Sequence, residues 1–246
     1  MKKAIITFMC LLLAFVAVGC TKTPPEETTT TLDFLNYVTA TVDEYLESES
    51  GNISIEMEKE TSTSLEYIYN FDGSSLDELL CVLESGDSMM AAYVKDEVAY
   101  VNVNGQKNQA PLTEDEEETI LDNYGLEAMT ASIFATFDKS LFSAFAITSD
   151  EAGVVVLTWD STKYVLIGEG LSDEEFIAAS DRFDDITTNM TAIVVTLTYA
   201  DGKVSKIESS WTNYDDVVGT IDIEFKGIGT QTITFPADLD TYTEQE

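Results

Sequence analysis

From residue 218 to residue 228 the chain reads VGTIDIEFKGI, in which Ile221, Ile223 and Phe225 alternate with Asp222, Glu224 and Lys226. A period of two belongs to a pleated strand with one face on a core and one in water. The same alternation runs through ISIEMEKE, where Ile53, Ile55 and Met57 oppose Ser54, Glu56 and Glu58, and through SLEYIYNF, with Leu65, Tyr67, Tyr69 and Phe71 on one side. Shorter strands are predicted at LLCVLES, MMAAYVK and EVAYVNVN. Gly86-Asp87, Lys95-Asp96 and Asn104-Gly105 lie between or after them, the residue types that tight hairpins need. AFAITS, VVVLTW and KYVLIG follow. The chain then closes on MTAIVVTLTYA, a turn at Asp201-Gly202, KVSKIESSW, the segment quoted first, and QTITFP. About twelve strands joined mostly by hairpins predict one large antiparallel sheet, with helices packed on one face.

Helices are expected where the apolar spacing changes to three and four. Leu35, Val38, Val42 and Leu46 form such a stripe, with Gly51 as its stop. In PLTEDEEETILDNYG, Thr113 and Glu116 make a capping box and Gly125 ends the helix. The run Glu114 to Glu118 lacks the alternating oxygen ligands and central glycine of an EF-hand loop; carboxylates in a first helical turn already favour the helix dipole. LEAMTASIFATFDKSLFSAF reads as a segment buried on most sides, and Ser172 with Glu175 as the capping box of a further helix.

At the amino end, Lys2 and Lys3 precede an apolar run from Ala4 to Val18, and Ala17-Val18-Gly19 lead into Cys20. A run of about 15 apolar residues suits a signal peptide better than a membrane span of roughly 20. The residues before Cys20 resemble the lipobox of bacterial lipoproteins, with Ala17 in place of the usual leucine. That resemblance implies cleavage before Cys20 and a diacylglyceryl thioether on its sulfur, with further acylation such as palmitate strengthening the anchor. The expected localisation is the cell membrane, lipid-anchored and facing the extracytoplasmic side. Cys10 would leave with the leader, so Cys81 would be the one remaining unmodified thiol, without a disulfide partner; in LLCVLES it reads as a small core residue. Residues 21–31, TKTPPEETTTT, have the composition of a tether, reaching about 35 Å at most. The expected organisation is a leader over 1–19, the lipidated cysteine and tether over 20–31, a single domain over 32–240, and a tail over 241–246.

Charge restricts partners. The chain has 46 acidic and 12 basic residues, a net −34, and removal of Lys2 and Lys3 with a leader free of acids makes it 10 − 46 = −36. Such a surface repels phosphate backbones and anionic headgroups, which argues against nucleic-acid binding. The sequence has no histidine, which excludes Ser-His triads, Cys-His dyads and histidine-ligated zinc. No P-loop, GxGxxG or GxSxG pattern occurs, and KGIGTQ at 226–231 reads as a turn between strands. Neither a catalytic residue nor a cofactor or metal site is expected, and the protein is expected to be a monomer.

Three stretches carry a wider resemblance: AYVNVNGQKNQAP at 99–111, YADGKVSKIE at 199–208 and TIDIEFKGIGTQTITFPADLD at 220–240. With the order helix, meander, helices, terminal hairpins, they resemble the LolA and LppX-like lipoprotein carriers. The resemblance implies an α+β fold whose antiparallel sheet, of about 11–12 strands, curves strongly into a half-open barrel with helices on its concave face. It also implies an apolar cavity for acyl chains. Phe34, Met57, Tyr69, Met90, Tyr100, Met129, Phe134 and Phe137 are the candidates to line it, since aromatic and methionine side chains give contact area and adaptability. The function expected is binding or carriage of a lipid or other hydrophobic ligand. The alternative is a non-catalytic cell-envelope interaction module whose acidic surface takes cations.

Overall fold

The alternating segments pair into one sheet. The structure, a computed structural model, describes residues 29–73, 75–126, 128, 142, 144–160, 190–229 and 231–244. Helix α1 (Thr31–Glu47) precedes the strands β1 (Ser50–Glu58), β2 (Thr63–Asp72), β3 (Ser75–Ser85), β4 (Ser88–Lys95), β5 (Val98–Val103) and β6 (Gln106–Pro111). After α2 (Glu114–Tyr124) come β7 (Ala146–Glu151), β8 (Val154–Asp160), β9 (Met190–Ala200), β10 (Lys203–Asn213), β11 (Val218–Ile228) and β12 (Thr243–Glu244). Among the described residues their order is β12-β6-β5-β4-β3-β2-β1-β11-β10-β9-β8-β7, an open sheet of 12 strands. The two meanders meet at β1 and β11, where Ile53 faces Phe225 and Ile55 faces Ile223. These elements belong to one compact unit, Thr31–Glu246.

Pleating divides the apolar residues between two faces. On one, Ile53, Ile55, Leu65, Tyr67 and Tyr69 join Val155, Leu157, Val195, Leu197, Ile207 and Ile223 in a single buried cluster with Phe34, Val38 and Tyr45 of α1. Cys81 belongs to the same cluster and is fully buried. On the other face, a smaller cluster unites Ile68, Leu80, Ala91 and Tyr93 with Leu239 and Tyr242 from the carboxyl end.

Several local expectations change. The stripe that α1 buries is Phe34, Val38, Thr41 and Tyr45, one residue round from the predicted one, and Leu46 is 45% exposed. Two aromatic rings offer more area than the aliphatics beside them, and Thr41 Oγ1 accepts a 2.8 Å hydrogen bond from Val204 N. Gly51 lies inside β1 rather than stopping α1; an added Cβ there would sit 2.8 Å from the Tyr69 hydroxyl and 2.9 Å from the Tyr45 ring. The β4–β5 turn is formed by Asp96 and Glu97, both at positive φ, one residue later than expected. QTITFP forms no ladder, and a two-residue β12 pairs with β6 in parallel instead, Thr243 against Asn108. The segments expected at 163–168 and 171–185, and most of 126–145, lie outside the described residues.

Candidate functional site

Among the described residues, two hollows flank α2 on the helix-bearing face. One, of about 290 Å³, lies between the end of α1, β2 and the end of α2, and Tyr45, Tyr67, Tyr69, Phe71, Leu121 and Leu126 line it. The other, of about 360 Å³, lies between α2 and the β5–β6 edge, with Val101, Ala110, Ile120 and Tyr124 beside the polar Asn108 and Glu116. α2 stands between them because its sequence gives it few anchors. Thr113 Oγ1 accepts from Glu116 N at 3.3 Å, which forms the threonine half of the expected capping box. Ile120 is the one buried residue of the helix, and Glu117 Oε1 ties it to β3 by accepting from Leu76 N at 2.7 Å. Gly125 closes the helix with its N–H on Leu121 O at 2.8 Å. Its φ is −64°, so the glycine is needed for space: a Cβ would lie 2.2 Å from that same oxygen.

The tyrosine-lined hollow is braced by its own hydroxyls. Tyr69 donates to Tyr45 O at 2.5 Å and shares a 2.7 Å hydrogen bond with Ser48 Oγ. The Tyr45 hydroxyl accepts from Gly227 N at 2.7 Å, linking α1 to the end of β11. Burial pushes the Tyr45 phenol up to about 12, against the opposing pull of the Gly227 N–H. Burial also raises Tyr69 and, further, Tyr67. A phenol is already neutral at physiological pH, and burial moves these three further from ionisation. In a chain of net −34, this gives an uncharged aromatic lining, with Asp122 at the exposed rim.

Of the eight residues expected to line a cavity, Phe34 is buried in the α1 stripe and Tyr69 lines the first hollow. Met57 packs at the margin of the same cluster. Met90, opposite Leu83 and two residues before Ala92, shares that face at half-burial. Tyr100 does not: it packs on the reverse-face cluster, its ring edge-on to Tyr242 at 5.5 Å. Alternation along β5 explains this, since Ala99 and Val101 take the helix-bearing side. Met129, Phe134, Phe137 and Cys20 lie outside the described residues. The candidates do not include Tyr45, Tyr67, Phe71, Leu121 or Leu126, although Tyr67 and Phe71 share the strand face of Tyr69, and Tyr45, four residues after Thr41 and eleven after Phe34, was available from the helical spacing. Among the described residues, no three acidic side chains converge as metal ligands would.

No protein-family profile matches this chain, and no curated protein matches it by sequence. Among solved structures it is similar to LprF from Mycobacterium bovis, at 12% identity over 84% of this chain and 95% of that one, with a TM-score of 0.36. It is also similar to a DnaN sliding clamp, DNA polymerase III subunit beta, from Bartonella birtlesii bound to griselimycin. There the identity is 12% over 86% of this chain and 66% of that one, with a TM-score of 0.18. At these TM-scores neither likeness bears on what the chain does.

Proposed function

We propose that this chain is a lipoprotein, anchored through Cys20 on the extracytoplasmic side of a membrane, that binds a lipid or other hydrophobic ligand in the hollows beside α2. In this reading the sheet curves around the ligand in the LolA and LppX-like manner, with α1 and α2 on its concave side, and the protein is a non-catalytic monomer. The observation that carries the reading is the tyrosine-lined hollow of about 290 Å³, whose walls are aromatic and aliphatic side chains in a strongly acidic chain. With its neighbour of about 360 Å³, it falls at the lower end of ligand pockets, about 300 to 1,000 Å³. One acyl chain or a small apolar molecule suits that size. The acidic surface disfavours anionic headgroups, so uncharged or cationic ligands are expected.

The test is organic extraction and mass spectrometry of the purified full chain, followed by titration with N-phenyl-1-naphthylamine in place of the native ligand. A stoichiometric hydrophobic molecule, or saturable fluorescence that Leu126→Trp reduces several-fold by filling the hollow, is the expected result. A protein that is empty as isolated and indifferent to the probe would remove the binding proposal. For the anchor, labelled palmitate should enter the wild-type chain and not Cys20→Ser, which should also leave the membrane fraction; equal retention of both would refute lipidation.

A further inference from the structure

The reverse face of the sheet holds a second feature, remote in the fold from the hollows. Residues 231–236 run across it as an extended strap, with Ile233 and Phe235 set against the cluster of Ile68, Leu80 and Tyr93. Asn70 fixes the start of the strap, donating from Nδ2 to Gln231 O at 2.9 Å and accepting at Oδ1 from Gln231 N at 2.8 Å. Between the strap and strands β3 and β4 lies a cleft of about 580 Å³, lined among others by Glu78, Lys95, Phe235, Pro236, Leu239 and Asp240.

The charges in this cleft are arranged unusually. Leu79 faces Val94 and Leu80 faces Tyr93, so the same register sets Glu78 opposite Lys95, on the face that Leu80 and Tyr93 share. Opposite charges at facing positions of antiparallel strands ordinarily pair. Among the described residues, however, Lys95 reaches only the exposed Asp96, at 3.9 Å, and its ammonium stands 5.5 Å from the centre of the Phe235 ring. Glu78 Oε2 is turned to Asn70 Nδ2, which donates to it at 2.9 Å. A carboxylate and an ammonium thus line one cleft without meeting, beside an aromatic ring, a proline and a leucine.

We propose that this cleft binds the zwitterionic head of an amino acid or short peptide with an apolar side chain. The ligand's ammonium is taken by Glu78 and Asp240, its carboxylate by Lys95, and its side chain by Phe235 and Leu239. A ligand of zero net charge escapes the repulsion that a chain of −34 exerts on anions. The site shares no residue with the hollows beside α2, so it stands or falls independently of lipid binding.

The test is calorimetric titration of the detergent-solubilised full chain with L-leucine, leucyl-leucine, L-leucinamide and N-acetyl-L-leucine. Saturable binding of L-leucine, or of leucyl-leucine alone if the source is peptide, is the expected result. Binding should weaken about tenfold or more for each blocked form and for Lys95→Met or Glu78→Gln, since each removes one charge-assisted contact. Glutamine at position 78 can still accept from Asn70, so an unchanged circular dichroism spectrum is expected of that variant. No heat from either zwitterion up to about 10 mM, an affinity floor for a specific small-molecule site, would overturn the proposal. Equal affinity for the blocked forms would do the same.

Discussion

Tyr69 shows how much one side chain of an alternating strand can organise. Its ring passes over Gly51, and its hydroxyl joins Ser48 to the last turn of α1. Tyr69→Phe should cost about 1–2 kcal/mol, because Tyr45 O loses a buried donor, and urea denaturation at constant slope would measure it. A loss within error would mean that the Ser48 hydroxyl, 3.0 Å from Tyr45 O, turns to donate there and compensates fully. Buried phenols also set an alkaline limit. Burial raises Tyr45 and Tyr93 to about 12, whereas phenols of the unfolded chain titrate near 10. Above about pH 10 the unfolded state releases these protons first, so stability should fall from there toward about pH 12 and be indifferent to these groups below. Urea midpoints at constant ionic strength across that range would show it, and a flat profile would contradict the burial.

At the scale of elements, α1 and α2 contrast. α1 buries four residues in one stripe and is tied to β10 by Thr41 and by the Lys203–Glu44 ion pair. α2 has Ile120 alone, two hollows beside it and no cation in its last turn. Ile120→Ala should therefore cost about 2–4 kcal/mol and raise amide exchange across α2 before it affects β1 or β2. Uniform acceleration throughout the sheet would show instead that α2 and the sheet open as one unit. Thr113→Ala should cost about 1 kcal/mol through the lost cap, read as a lower thermal midpoint. Hairpins were legible from turn residues at Gly86-Asp87, Asn104-Gly105 and Asp201-Gly202, where positive φ is required. The Asp96-Glu97 turn was placed one residue early, since neither residue advertises a left-handed conformation as glycine does.

At the scale of the whole molecule, the carboxyl-terminal strap decides which face is covered. Asn70 is 6% exposed and holds the strap by two backbone hydrogen bonds to Gln231. Asn70→Ala strands both, at about 1–3 kcal/mol, and should speed proteolytic trimming of the residues after 230. Trimming at the wild-type rate would mean that Phe235, Leu239 and Tyr242 hold the strap unaided. Lys107 secures its far end, pairing with Asp238 and lying 5.4 Å from the centre of the Tyr242 ring.

The residues themselves determined the local periods, and hence that Ile53 and Ile55, Leu65 and Tyr67, and Ile221 and Ile223 each lie on one side of their own strand. A strand's side chains alternate whatever it pairs with, so that much can be read one segment at a time. Tertiary structure alone decided that β1 pairs with β11, that the strand-like QTITFP stays unpaired, and that Tyr100 points away from the hollows while Tyr45 points into one. Those outcomes depend on which surfaces meet across long stretches of chain, and on how register distributes limited apolar area between two faces. Alternation within a segment carries neither piece of information.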